Sequence, residues 1–190
     1  MVSMRKAWGN AVLIAVVAVL TTIGLVACKK GRKESGGGEG GASAEAPKQT
    51  VSEKAKVEFY VMSKCPFGVK VVEAIYPVLK EMGANVDFDL EFIGREVGGK
   101  LTSLHKEPEV NGNKVQICAA KYAPDGYLDF VHCMNKKWRQ IPEGWESCAK
   151  ETGMPFDELK ACYEGQEGHD LLKASFEKAQ RRRARGSPTM

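Results

Sequence analysis

The chain is most constrained where Val57-Glu-Phe-Tyr-Val-Met-Ser-Lys-Cys65-Pro66-Phe67-Gly68 carries an alternating apolar run straight into a cysteine followed by proline. Val57, Phe59 and Val61 recur at every second position, the spacing of a strand with one buried face. Pro66 suits the first position of a helix, because its missing N–H would have no partner there. Beyond it, Val69, Val72, Ile75, Tyr76, Leu79 and Met82 keep helical spacing, and Gly83 supplies a stop. Pro77 lies inside this helix and is expected to kink it by removing one hydrogen bond. A second alternating run, Val86, Phe88, Leu90 and Phe92, completes strand, helix, strand, which reads as a right-handed parallel crossover. Cys65 therefore opens a helix. A thiol in that position meets unpaired backbone N–H groups and the positive end of the helix dipole, both of which favour a thiolate. Three residues on, where a dithiol site carries its second sulfur, stands Gly68.

The segment before this unit reads as targeting and tether. Arg5 and Lys6 precede an apolar run from Ala11 to Leu20, which closes on Leu25-Val26-Ala27-Cys28. That tetrapeptide resembles the bacterial lipoprotein cleavage box, in which the cysteine is lipidated and becomes the new N-terminus. Residues 1–28 are thus expected to be a lipoprotein signal peptide with Cys28 as the lipidation site. An uncleaved membrane anchor is the other reading, since the apolar stretch approaches the roughly 20 residues that span a bilayer. Both readings put the remainder in the cell envelope, outside the cytoplasm, on the periplasmic side of an inner or outer membrane. Residues 29–56, rich in Gly, Ser, Ala, Glu and Lys, read as a flexible tether. One domain, 57–190, follows. The net charge of +4 is concentrated at the two ends, with Arg181-Arg-Arg-Ala-Arg185 dominating the tail. Cations there complement the negative pole of a helix, and no nucleic-acid partner is expected of an exported domain.

With Cys28 set aside, Cys65, Cys118, Cys133, Cys148 and Cys162 remain, an odd number in an oxidising compartment. Four can pair as structural disulfides, and by position Cys65 is the one left over. Three pairings are open, with the nested arrangement, Cys133–Cys148 inside Cys118–Cys162, as the expectation. Zinc is the rival use of these thiols. Their spacing lacks a short Cys-x-x-Cys pair, so neither a metal nor another cofactor is expected.

The strand–helix–strand unit covers 57–100, and Gly94 to Asn113 is read as loop. A helical insert is expected over 114–184: one helix from Cys118 to Trp138 with a break at Ala123-Pro-Asp-Gly126, then Trp145 to Glu151, Phe156 to Glu164, and Glu167 to Arg183. Tyr122, Trp138 and Trp145 read as core or edge aromatics, and His132 as packing or surface. The chain closes on Gly186-Ser187-Pro188-Thr189-Met190.

Two stretches resemble the gamma-interferon-inducible lysosomal thiol reductase family, a branch of the thioredoxin-like superfamily related in architecture to DsbA-type oxidoreductases. Ser63-Lys64-Cys65-Pro66-Phe67-Gly68 is similar to the family's Cys-Pro-Tyr-Cys turn. His105, Glu109, Asn113 and Cys118 fall at the spacings of its signature Cys-Gln-His-Gly-x-x-Glu-Cys-x-x-Asn-x-x-x-x-Cys. Ser103 and Val110 replace the other signature cysteines, and Lys106 replaces its glycine. The resemblance implies an α/β thioredoxin-like fold with the inserted helical subdomain. It also implies a strand beginning near 186–190 whose Pro188, in the cis form, faces Cys65 and substrate. On that template the closing strands and helix would follow Met190, so the chain reads as truncated; a tail with an ordinary trans proline is the alternative. For His105 the resemblance implies hydrogen bonds that order the loop.

The functional expectation is a lipid-anchored thiol–disulfide oxidoreductase or isomerase acting through Cys65 within the turn Cys65-Pro66-Phe67-Gly68. Its partners would be protein disulfides or thiols, with an external thiol or partner reductase to complete the cycle that Gly68 leaves open. A redox-inactive thioredoxin-like binding module is the alternative.

Overall fold

The computed structural model describes residues 54–190, so the signal peptide, Cys28 and most of the tether lie outside the described residues. β1 (Ala55–Val61) leads through a short turn into α1 (Pro66–Met82), which runs unbroken through Pro77. β2 (Val86–Phe92) returns parallel to β1 in a register that matches Ala55 to Val86 and Val61 to Phe92. A small antiparallel hairpin, β3 (Arg95–Val97) and β4 (Lys100–Thr102), turns at Gly98-Gly99. Five helices follow: α2 (Lys106–Tyr122), α3 (Tyr127–Asn135), α4 (Trp145–Glu151), α5 (Phe156–Glu164) and α6 (Gln166–Arg181). Strand β1 thus begins within the stretch read as tether, because Ala55 and Lys56 already have partners on β2.

Period-two patterning divides the sheet's residues between two surroundings. Val57, Phe59, Val61, Phe88, Leu90 and Phe92 join one core with Val72 of α1, Val115 of α2, Phe130 of α3 and Phe176 of α6. The alternate positions are polar and meet α6. Lys178 Nζ lies 2.7 Å from Glu91 Oε1, 2.8 Å from Asp89 Oδ2 and 3.1 Å from Glu58 Oε1. Ser175 Oγ accepts the Phe92 N–H at 2.8 Å and donates to Glu91, anchoring the same helix to the end of β2.

The stretch read as loop before Asn113 is largely helix. α2 starts at Lys106, twelve residues ahead of Cys118, and carries Pro108, Asn111 and Gly112 inside it. Pro108 is harmless there, since first-turn N–H groups have no intrahelical acceptor to lose. The apolar period misses this helix because three residues on its buried side, Glu109, Asn113 and Gln116, are polar. The expected break at Ala123–Gly126 separates α2 from α3, and α3 ends at Asn135, short of Trp138.

Cys118 is bonded to Cys162, joining α2 to α5, and Cys133 to Cys148, joining α3 to α4. Closing loops of 44 and 15 residues removes unfolded-state entropy worth about 4 and about 3 kcal/mol in the chain-entropy account. Trp145 is buried between Phe156 and Tyr163, Trp138 lies beneath the Arg139 guanidinium, and Tyr122 donates to Glu167 at the surface. His132 stacks on Tyr76 with ring centres 4.2 Å apart.

Lys178, helped by the Tyr60 hydroxyl, pulls the Glu58 carboxyl down from 4.5 to about 2, outweighing the opposing effect of burial. A carboxyl depressed in the folded state contributes stability that is complete above its unfolded pKa and vanishes as pH falls through the folded one. Unfolding free energy is therefore expected to decline between pH 4.5 and about 2. Glu58→Gln should flatten that part of the profile in urea titrations run at stepped pH.

Candidate active site

β1 ends at Val61, and Met62-Ser63-Lys64 turn the chain so that the Cys65 N–H donates to Met62 O at 2.9 Å. Cys65 is extended (φ −79°, ψ 120°) and caps α1, with Pro66 as the first helical residue. On the edge of β1 away from β2, Tyr60 and Thr189 exchange backbone hydrogen bonds of 2.8 and 2.9 Å in antiparallel fashion. The Ser187–Pro188 peptide bond between that bridge and the sulfur is cis. Cys65 Sγ donates to Ser187 O at 3.5 Å, so the thiol and the cis-proline segment are in contact. Cys65 is 8% exposed, whereas Phe67 beside it is 66% exposed. The sulfur is therefore held deep, with an apolar ring standing out next to it.

Ser187 makes a second contact. Its Oγ accepts the Met62 N–H at 3.0 Å and stands where a side chain on residue 68 would project. A β-carbon on Gly68 would collide with that hydroxyl and also come within 3.3 Å of Val61 Cβ and 3.4 Å of Met62 O. The turn is thus closed around a residue without a side chain, at the position of the second sulfur in a dithiol site.

The approach to Cys65 is held from the other side by α2. Glu109 is completely buried, yet its carboxylate is fully partnered. Oε1 accepts from Ser103 Oγ at 2.7 Å and from the His105 N–H at 3.1 Å. Oε2 accepts from the Lys64 N–H at 3.2 Å and lies 2.6 Å from His105 Nδ1. One turn on, Asn113 Oδ1 accepts the Ser63 N–H at 3.0 Å. Ser63 Oγ donates to Glu109 O at 3.3 Å, and a β-carbon on Gly112 would collide with Ile141 Cγ2 and Ser63 Oγ. The Lys64 ammonium donates to Arg139 O at 2.6 Å and Ile141 O at 2.7 Å, beside the cis Ile141–Pro142 bond. These bonds fix both residues preceding Cys65 to α2 and to the loop after α3.

The structure brings Cys65, Pro66, Phe67, Gly68 and Pro188 into one site, and leaves Cys118, Cys133, Cys148 and Cys162 in the helical block as disulfides. Sequence reasoning had no role for Glu109, Ser63 or the Ser187 hydroxyl. A signal for the first was present: residues 105, 109 and 113 are spaced four apart, which puts three polar side chains on one helical face. Nothing local in the sequence marks Ser187 Oγ, whose partner lies 125 residues away.

Residues 56–152 match the gamma interferon inducible lysosomal thiol reductase family, a stretch from β1 to the residue after α4 and just over half of the chain. The chain belongs to that family. Its class of chemistry is thiol–disulfide oxidoreduction, and protein thiols are the class of partner. No curated protein matches the chain. Among solved structures, a Nitrosomonas europaea protein provisionally described as a protein disulfide isomerase is similar. It is 11% identical, with a TM-score of 0.57 over 70% of this chain and 82% of its own. The oxidoreductase DsbA1 of Neisseria meningitidis is 15% identical, with a TM-score of 0.51 over 74% of this chain and 72% of its own. Its reduced form gives 0.53 over 76% and 73%. At such identities the likeness is one of fold, and the fold is thioredoxin-like with a helical insertion.

Family membership sharpens the meaning of Lys106, which occupies the glycine position of the signature. It holds φ 66°, a left-handed conformation that costs an L-residue about 1–2 kcal/mol and glycine little. Lys106→Gly is expected to raise stability by about 1 kcal/mol in denaturant titration. The closed slot at Gly68 gives a second expectation. Gly68→Ala should lower the melting temperature, and Ser187→Ala in the same chain should restore much of the loss, a coupling read from a double-mutant cycle.

Proposed function

We propose that this chain is a lipid-anchored, extracytoplasmic thiol–disulfide exchange protein that works through the single thiol of Cys65. The observation that carries the reading is a sulfur at the head of α1, in contact with a cis-proline segment, with Gly68 in place of a second sulfur. Thiolate attack by Cys65 on a partner disulfide forms one S–S bond to the partner and releases the partner's other sulfur as a thiolate. With no thiol at position 68, the mixed disulfide waits for an outside sulfur: a second cysteine of the partner, a small thiol, or a reductase. Either step conserves the number of disulfides. That suits isomerisation and exchange, and it excludes net oxidation by this chain acting alone.

Cys65-Pro66-Phe67-Gly68 is the active turn in this reading, and Pro188 presents its backbone to the partner chain. Phe67 and the exposed Leu104 offer apolar surface for that partner. Two disulfides in the helical block suit an oxidising compartment. Lipidation at Cys28 would hold residues 57–190 at a membrane through the 29–56 tether. Among the described residues no helix is long and apolar enough to cross a bilayer.

The burial of Cys65 favours the second reading, a thioredoxin-like binding module, if partners cannot reach the sulfur. One experiment separates the two. Incubated with a peptide disulfide, the full chain should form a covalent adduct on Cys65 that dithiothreitol reverses. Cys65→Ser should reduce adduct formation and disulfide interchange at least a hundredfold while leaving the melting temperature within a few degrees. Exchange that persists in Cys65→Ser sinks the proposal, and a native Cys65 that forms no adduct leaves the binding module.

A further inference from the structure

The end of α6 carries positive charge that the fold does not use. Arg181 lies 3.9 Å from Glu177 and Arg182 lies 3.3 Å from Glu58. Arg183 and Arg185 are exposed and, among the described residues, have no ion pair and no side-chain hydrogen bond. Arg183 closes the helix with φ 58°, and the Ala184 N–H reaches back to Ala179 O at 2.9 Å. That left-handed helix-end position is ordinarily glycine's, because any β-carbon there is strained. An arginine stands at a site where helix termination favours a residue without a side chain.

The location gives the charge a target. Ala184, between the two arginines, is 6% exposed and belongs to the buried cluster that contains Tyr60, Met62, Cys65 and Ile93. Two residues beyond Arg185 comes Ser187, whose carbonyl receives the Cys65 thiol. At about 3.8 Å per residue, the Arg185 backbone lies within about 8 Å of the residue in contact with the sulfur. Lys64, the cation adjacent to Cys65 in sequence, spends its ammonium on the carbonyls of Arg139 and Ile141. Arg183 and Arg185, on either side of that buried alanine and in the segment that leads to Ser187, are two cations left without an ion pair among the described residues.

We propose that Arg183 and Arg185 form a cationic rim that selects thiols and disulfides carrying carboxylates beside the reacting sulfur. The proposal rests on the reading of Cys65 as the exchanging thiol and adds the class of partner it takes. Its chemical sense follows from Gly68. Because no internal thiol resolves the mixed disulfide, every turnover needs a visiting thiolate, and a visiting thiolate is an anion. The visitor attacks the Cys65–S bond, its sulfur joins the partner's sulfur, and the electron pair returns to Cys65 as thiolate. At surface separations of about 8 Å in water each charge pair is worth about 0.5 kcal/mol, roughly twofold in rate. Two arginines acting on a partner with two carboxylates therefore give a preference of about fivefold or more at low salt, which added salt erodes.

The test follows adduct formation on Cys65 by mass spectrometry, using the full chain and small disulfides of graded charge. Glutathione disulfide is the anionic probe, hydroxyethyl disulfide the neutral one and cystamine the cationic one. At low ionic strength the rates should fall in that order, and at about 1 M salt, where the screening length is about 3 Å, the differences should collapse. Arg183→Gln/Arg185→Gln should cut the anionic-to-neutral rate ratio about fivefold. A neutral probe reacting as fast as the anionic one in the native chain overturns the rim alone, as does a variant that keeps the native ratio. Reaction with none of the three overturns the Cys65 reading and the rim with it. A peptide disulfide flanked by glutamates, compared with its lysine-flanked counterpart and with glutathione disulfide, assigns the source. Faster reaction of the acidic peptide points to polypeptide partners, and faster reaction of glutathione disulfide points to small acidic thiols. Either ranking above the lysine peptide supports the rim.

Discussion

A carboxylate with no access to water holds the turn before Cys65 in place. Glu109 is fully buried, and a charge in that position is tolerable only if every lone pair finds a donor. Its donors come from three places along the chain: Lys64 before the cysteine, Ser103 after the β3–β4 hairpin, and His105 at the head of α2. Satisfying one buried side chain therefore aligns three segments at once, and removing any donor leaves the carboxylate short. Asn113 and the close approach of Gly112 extend the same contact by one turn of α2. The helical insert is thus the back wall of the site and not an appendage to the fold.

This arrangement also explains how the chain tolerates the loss of two signature cysteines. Ser103 stands at one of those positions, with its hydroxyl 2.9 Å from Ile93 O and 2.7 Å from Glu109 Oε1 and one proton to share between the two acceptors. A hydroxyl tied to a buried carboxylate holds the start of α2 without a covalent link. Such a tie is indifferent to thiols in solution, whereas a disulfide close to a reactive cysteine could be exchanged by the same visitors that resolve it. The covalent staples that remain, Cys118–Cys162 and Cys133–Cys148, join helices to helices in the insert.

What could be read from the residues followed how local the cause was. β1, α1 and β2 were legible because their buried faces are apolar at the periods of strand and helix, and their one-sided burial in the sheet matches that pattern. The first three turns of α2 were not, because Glu109, Asn113 and Gln116 put polar atoms on the buried face and invert the expected signal. The hairpin strands are three residues each, too short for alternation to register, although Gly98-Gly99 marked the turn. At the site itself, Cys65 and Pro188 carried recognisable local chemistry. The Ser187 hydroxyl did not, since its meaning depends on Met62 and Gly68 meeting it from the far end of the chain.

Under the exchange chemistry proposed for Cys65, Gly68 changes what the protein must recognise. A dithiol site resolves its own intermediate, so its partner needs only to present a disulfide. A site with one sulfur must admit two visitors in succession, and the second has to reach a bond already lodged in a recess where Cys65 is 8% exposed. Selection then falls on the surface around the sulfur more than on the sulfur itself. Two sides of that surface differ in character: Phe67 is apolar and exposed, while the turn after α6 is basic. An apolar contact near the thiol favours a polypeptide as the first visitor, because burying a ring of that size stabilises by about 1.5–3 kcal/mol only when the partner supplies matching surface. The basic side imposes no such shape and acts over a screening length of about 8–10 Å, so in the proposed cycle it acts alike on an anionic partner at either step.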